Sequence, residues 1–474
     1  MRTERNMPFR FVWLWTDVLI YVLVAAAIAF ALYARRHEHL RAPWRQVRRR
    51  ALAMGALVVL SAYIAVGLLD SIHVQRRLDQ PGAGGAIHYA PATESLLDLL
   101  CAPLRERSER SYSAPLALYA YSKETVALPD GRVSFSYPRL KYGGAHLRDA
   151  SERRGDIARR AMAGLLAATA SWLVLVAGIA LWRRRRHGEP LRAALAGIVA
   201  GRGDTPWRTI LAVTWALLAL AGVALSLAGP YHLLGTDQVG QDVFYKSLKS
   251  IRTGLVIGTL TTLVMLPFAL VFGVTAGYFR GWVDDVIQYL YTTVSSIPGV
   301  LLIAAAILSL QVYIATHEEA FATIAERADL RLLFLCFILG VTTWTTLCRL
   351  LRGEALKLRE VDYVQAATAL GVGHVQIMGR HILPNVMHLV LITVVLDFSG
   401  LVLAEAVLSY VGVGVDPSMN SWGNMINGAR LEMAREPIVW WSLAAAFTFM
   451  FGLVLAANLF ADAVRDAFDP RLRR

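Results

Sequence analysis

The chain has 474 residues, 56% of them hydrophobic, and a formal net charge of +13. A chain this apolar, with its nonpolar residues gathered in long runs, is excluded from the ordinary soluble class and reads as a polytopic membrane protein. The positive charge sits in short loops beside those runs rather than on one basic face, so it argues for membrane orientation and against a nucleic-acid partner.

In chain order, nine apolar runs are long enough to cross a bilayer, at about 11–34, 51–69, 161–182, 207–229, 254–278, 286–313, 331–351, 386–412 and 438–461. The first is too long and Trp-rich for a signal peptide and is read as retained. Residues Arg35–Arg50 carry seven arginines against one acid, and Arg183–Arg208 seven against two. The positive-inside bias puts both in the cytoplasm. The N-terminus and residues 70–160 then fall outside, whereas the segment Arg359–Asn385 and the C-terminus fall inside. The chain divides into extra N-terminal helices (1–69), an extracytoplasmic insert (70–160), a further helix with a basic loop (161–206) and a six-run core (207–474).

The insert holds apolar clusters such as LLDLLCAPL, turn signals at Pro129-Asp130-Gly131 and Gly143-Gly144, and the strand-like stretch RVSFSYPRL. These predict a small folded unit with β content. Cys101, Cys336 and Cys348 have neither metal-ligand spacing nor an evident pairing and are read as free thiols. The scattered histidines lack the spacing of a zinc site. No GxxxxGK[ST] loop cradles phosphates, so nucleotide hydrolysis is expected on another chain.

Within the core, Leu234–Gly254 reads LGTDQVGQDVFYKSLKSIRTG. Asp237, Asp242 and Arg252 are expected to form a local clamp where the chain re-enters the membrane, with substrate contact as the alternative. In Arg359–Asn385, Ala366, Ala367 and Leu370 offer a small apolar face at helical spacing. Gly371 and Gly373 then interrupt the helix, and Leu383-Pro384 lead into the next run. Asp397 and Glu405 follow; eight residues at about 100° each leave them roughly 80° apart. Both are expected to face the bundle interior, as helix-locking acids or as the lining of a path.

The order Gln365, Ala366, Ala367, three residues, Gly371, nine residues, then His381-Ile382-Leu383-Pro384 resembles the cytoplasmic EAA loop of ABC-transporter permeases. The wording YVQAATALG and RHILPN is similar to the dipeptide, oligopeptide and nickel branch. So are Gly235, Thr236, Asp237, Gly240, Asp242 and Arg252 of the LGTD stretch, LVLAEAVLSYVGVGV with NSWGNMI, and the tail NLFADAVRDAFDPRL. Gln365 stands where that family has Glu, His381 where it has Ile, and Gln241 where it has Arg. The resemblance covers about 207–474 and implies an all-α inner-membrane permease of the second-permease type. Gln365 to Gly371, with Leu383 and Pro384, would be the element that docks into an ATPase. A sister permease, two ATP-binding subunits that hold ATP and magnesium, and an external substrate-binding protein would be its partners, with no cofactor on this chain. Peptide is the implied cargo, nickel or another small solute the alternative. The insert would then shape docking of the binding protein or cap the pore entrance, or only brace the extra helices. A membrane-embedded enzyme would need a converging nucleophile, base or metal set, and a secondary transporter would show repeats with broken helices.

Overall fold

In hydrocarbon every backbone N–H and C=O must be satisfied within the protein, and apolar runs of about twenty residues meet this as helices, whose bonds lie within one segment. The computed structural model describes residues 9–36, 38–77, 89–90, 92–127, 133–187, 190, 197, 205–317 and 323–468. Pro129-Asp130-Gly131, most of the basic connection at 188–204 and the end of the tail at 469–474 lie outside these residues. Among the described residues, nine helices are long and apolar enough to span a membrane.

The N-terminal part comprises β1 (Phe9–Val12), α1 (Trp15–Arg36), α2 (Glu38–Arg49) and α3 (Ala51–Asp70). The insert follows, with β2 (His73–Arg76), β3 (Glu94–Ser95), α4 (Leu96–Leu100), α5 (Ala102–Glu106), β4 (Glu124–Ala127) and β5 (Val133–Ser136). β1, β2 and β3 form one antiparallel sheet, with Phe9 opposite Arg76 and His73 opposite Ser95. β4 pairs with β5 as a hairpin, Glu124 opposite Ser136. The strand expected in RVSFSYPRL is β5. The first apolar run is shorter than expected, because Phe11 and Val12 belong to β1 rather than to a helix.

Helix α6 (Arg153–His187) returns the chain to the core: α7 (Trp207–Ala228), α8 (Val243–Phe279), α9 (Gly281–Ser296), α10 (Gly299–Thr316) and α11 (Ile324–Arg359). After the short α12 (Asp362–Ala369) and α13 (His374–Ile377) come α14 (Leu383–Tyr410), α15 (Trp422–Met433) and α16 (Trp441–Phe468). The single run expected at 286–313 is two helices. Pro298 has no N–H to continue the ladder, Ile297 is extended, and the chain restarts as α10.

The core is centred on α8 against α11. Gly273 and Gly277 lie on the contact face, where a Cβ would stand 2.9 Å from the Cys348 carbonyl oxygen and 2.6 Å from that of Arg352. Side chains this small let the two backbones approach closely, as GxxxG pairs do between membrane helices. Met265, Trp344, Leu347 and Leu351 fill the space beside them. Helix α7 packs on α6 and α3. Gly164 and Gly222 face each other there, each within 2.6 Å of the other's carbonyl if given a Cβ. Leu220, Leu225, Leu301 and Val312, all more than half exposed, look outward where lipid would lie. One end of the bundle gathers α2, the loop between α11 and α14, and the C-terminal turns of α16; the insert lies at the other.

Candidate functional site

At the loop end, α12 is an eight-residue helix with two different faces. Val364 and Ala367 are buried in the same cluster as Tyr278, Ala355 and Ile377. Tyr363, Gln365, Ala366 and Leu370 are exposed, Leu370 by 84%. The expected face of Ala366, Ala367 and Leu370 is therefore corrected. Ala367 is turned about 100° from Ala366 and packs inward, so the outward apolar surface is Tyr363, Ala366 and Leu370.

A Schellman turn ends this helix. The Val372 N–H donates to the Ala367 carbonyl at 3.1 Å and the Gly371 N–H to that of Thr368 at 3.0 Å. Gly371 takes φ of +76°, a conformation that costs a residue with a Cβ. Gly373 caps α13, a π-helical turn covers Met378–Ile382, and the helix runs on into α14 through Pro384, whose missing N–H falls just after that turn.

The loop is fastened to the long helices at several points. The Tyr278 hydroxyl, near the end of α8, lies 2.8 Å from His374 Nδ1, and Arg359 Nη1 donates to the Tyr278 carbonyl at 2.8 Å. Arg352 of α11 grips Asp284 of α9 through two bonds of 2.5 and 2.6 Å. Asn385 donates to the Tyr363 hydroxyl at 2.9 Å. Gln365 folds back, its Nε2 donating to the Glu360 carbonyl at 3.2 Å. A force on α12 would thus reach α8, α11 and α14 through side chains and short turns.

At the insert end, Asp237, Asp242 and Arg252 do not form the expected single clamp. Asp237 pairs with Lys246 and accepts the Val239 and Gln241 N–H groups at 3.0 and 2.9 Å. Asp242 caps α8 by accepting the Tyr245 N–H at 3.1 Å. Arg252 lies nearly three turns further along α8 and turns to the N-terminal part, with Nη2 2.5 Å from Asp17 and 2.9 Å from the Thr16 hydroxyl. Asp329 of α11 accepts the Thr16 N–H at 3.2 Å, joining α1, α8 and α11. The sequence reading missed Asp17, a lone acid near the start of the first apolar run, and Asp329, which stands among Glu326, Arg327 and Arg331 just ahead of another and so carries no distinct signal.

The insert closes over Gly235, Thr236 and Gly240. The Ser113 N–H donates to the Thr236 hydroxyl at 2.7 Å, and the Glu109 N–H to the Gly240 carbonyl at 2.9 Å. The Glu109 carboxylate accepts the N–H groups of Lys141, Tyr142 and Gly143 at 2.8–3.1 Å. His232 lies between that carboxylate, at 3.4 Å, and Asp242, at 2.9 Å. Burial alone would lower the imidazole, but hydrogen bonds to the two carboxylates outweigh it and raise His232 to about 9. Burial likewise opposes ionisation of Glu109, yet the bonds from His232 and the three backbone N–H groups bring it down to about 2. Lys249 adds a second tie, 2.7 Å from Asp98 of α4 and 3.2 Å from Asp70. Beside it opens a cleft of about 560 Å³, lined by Asp70, His73, Lys249, Arg252, Asp329 and Asn420 among others.

Glu405 and Asp397 have different surroundings. Glu405 is 2% exposed, accepts the Ser409 hydroxyl at 2.7 Å and abuts Gly423, so α14 and α15 enclose it. Asp397 is half-buried, and among the described residues nothing hydrogen-bonds to it. The two do not act as one pair.

Residues 269–474 match the family described as binding-protein-dependent transport system inner membrane component. The chain is similar to the glutathione transport system permease protein GsiD of Pectobacterium atrosepticum, 31% identical over 51% of this chain and 73% of that protein. It is similar to the oligopeptide transport system permease protein OppC of Haemophilus influenzae, 30% identical over 51% and 71%. OppC of Mycobacterium bovis is 28% identical over 52% of this chain and 78% of its own length.

Proposed function

Because the chain belongs to the family of inner-membrane components of binding-protein-dependent transport systems, we propose that it is the permease half of a peptide importer in which α12 couples ATP hydrolysis to the pore. The systems named for its relatives carry glutathione and oligopeptides, which favours peptide over nickel as cargo. A sister permease completes the pore, two ATP-binding subunits hold ATP and magnesium, and an external binding protein delivers the solute. The Arg359–Asn385 loop and the C-terminus then face the cytoplasm, in keeping with the arginines of α2 at the same end.

The observation that carries this reading is α12 itself, with Tyr363, Ala366 and Leu370 exposed on one side and Val364 and Ala367 seated in the core on the other. Nucleotide-driven closure of the ATPases would move α12 as a lever; the bond from Asn385 to Tyr363 would pass that motion to α14, and the turn into α13, whose His374 meets Tyr278, would pass it to α8. Glu405 locks α14 to α15 in this scheme, and Asp397 is the better candidate for lining the path. The insert supplies the external face that a binding protein meets, since it covers Gly235 to Asp242.

Ala366→Arg tests the coupling role. The variant is expected to insert and fold normally, because the site is exposed, and to bind the ATPase subunits at least about tenfold more weakly, equivalent to roughly 1.4 kcal/mol. Normal association and normal uptake by Ala366→Arg would remove α12 from the coupling path. Uptake of labelled oligopeptide, glutathione and nickel by the assembled complex in liposomes decides the cargo.

A further inference from the structure

Helix α2 is twelve residues long, about 18 Å, and joins the ends of two membrane helices, α1 and α3. Its inner side is anchored. Val47 is buried, Trp44 meets Phe468 edge to face at 5.6 Å, and the neighbouring Arg50 pairs with Asp466 of α16 at 2.5 Å. Its other side carries Arg41, Arg45 and Arg48 at i, i+4 and i+7, all exposed and on one face. Arg35 and Arg36, exposed at the end of α1, extend the same field. From Arg35 to Arg50 the one acid is Glu38, and Asp466 is engaged by Arg50.

We propose that the stripe Arg41, Arg45 and Arg48 binds the headgroups of anionic phospholipids in the leaflet at the loop end of the bundle. Position and chemistry both favour this occupant. Short connections to α1 and α3 hold α2 at the depth where the apolar helices meet water, which is where phosphate headgroups lie. Guanidinium groups bind phosphate bidentately, and their aliphatic stems reach along the helix toward the interface. Each basic residue near an anionic leaflet improves partitioning roughly fivefold. The proposal rests on the membrane reading of α1 and α3, not on the cargo or on the role of α12.

The test is native mass spectrometry of the purified full-length chain, titrated with phosphatidylglycerol or phosphatidylcholine. Wild type is expected to bind phosphatidylglycerol preferentially. The triple variant Arg41→Gln, Arg45→Gln, Arg48→Gln should lose at least about tenfold of that affinity while keeping its phosphatidylcholine binding and elution volume. Arg184→Gln with Arg185→Gln, at the exposed end of α6, serves as the control and should retain the preference. An unchanged affinity in the triple variant, or an equal loss in the control, overturns the site. Displacement of the lipid by millimolar inorganic phosphate would make it a free-anion site. If the triple variant keeps the lipid but no longer binds the ATPase subunits, the stripe is a protein-docking surface.

Discussion

His232 is held between two carboxylates, one from the insert and one from the head of α8, and its protonation decides how firmly the insert is clasped. The folded imidazole is raised from 6.5 to about 9, so its contribution is complete below about pH 6.5 and is lost as pH rises through about 9. Glu109 is lowered from 4.5 to about 2, so its contribution is complete above about pH 4.5 and is lost as pH falls through about 2. The clasp is therefore strongest between about pH 4.5 and 6.5. Limited proteolysis of the insert should accelerate in the wild type between about pH 6.5 and 9.5, whereas His232→Gln should be cleaved readily throughout. A wild-type rate that stays flat across that interval would mean His232 is not the fastening. Asp242 was legible in the sequence as part of a motif, but Glu109, which meets His232 from 123 positions away, was not.

Among the elements, α12 depends most on its local sequence. Gly371 permits the positive φ that folds the chain back, and the Schellman bonds it closes hold the last turn of the helix. Gly371→Ala should cost about 1 kcal/mol at that turn, because a left-handed residue with a Cβ is disfavoured by that order. Hydrogen exchange of the amides from Ala366 to Val372 should quicken severalfold, with α8 and α11 unchanged. Unaltered exchange at Val372 would show that the turn is held by packing alone. The helix, the glycine break and the proline entry could all be read from spacing. Which of two adjacent alanines faces out could not, because it depends on how the helix is seated against Tyr278 and Ile377. The break at Ile297-Pro298 was missed for another reason: Ser295-Ser296 and Pro298-Gly299 do signal it, but the strongly apolar residues on either side were joined into one span.

For the whole molecule, the N-terminal addition and the six-helix core are built together. The expected boundary near residue 206 is a change in composition, yet α7 beyond it packs on α6 and α3 before it. Gly222→Leu should separate α6 from α7, since even a Cβ there would lie 2.6 Å from the Gly164 carbonyl oxygen. Overpacking of this kind costs about 1–3 kcal/mol, and the midpoint of thermal unfolding in detergent should fall by several degrees. An unchanged midpoint would mean that α6 rests on α7 without contributing to the stability of the core. Length, hydrophobic runs, arginine bias and short motifs are local properties, so the sequence by itself determined a polytopic helical membrane protein and the family of its core, and its nine apolar runs are matched by nine long apolar helices among the described residues. Only the tertiary structure decided that Arg252 meets Asp17 across 235 positions, that the insert covers the LGTD stretch and that Ala367 turns inward. A charge buried at the end of an apolar helix must find a partner wherever the fold supplies one, and nothing in the spacing along the chain encodes which distant carboxylate that is.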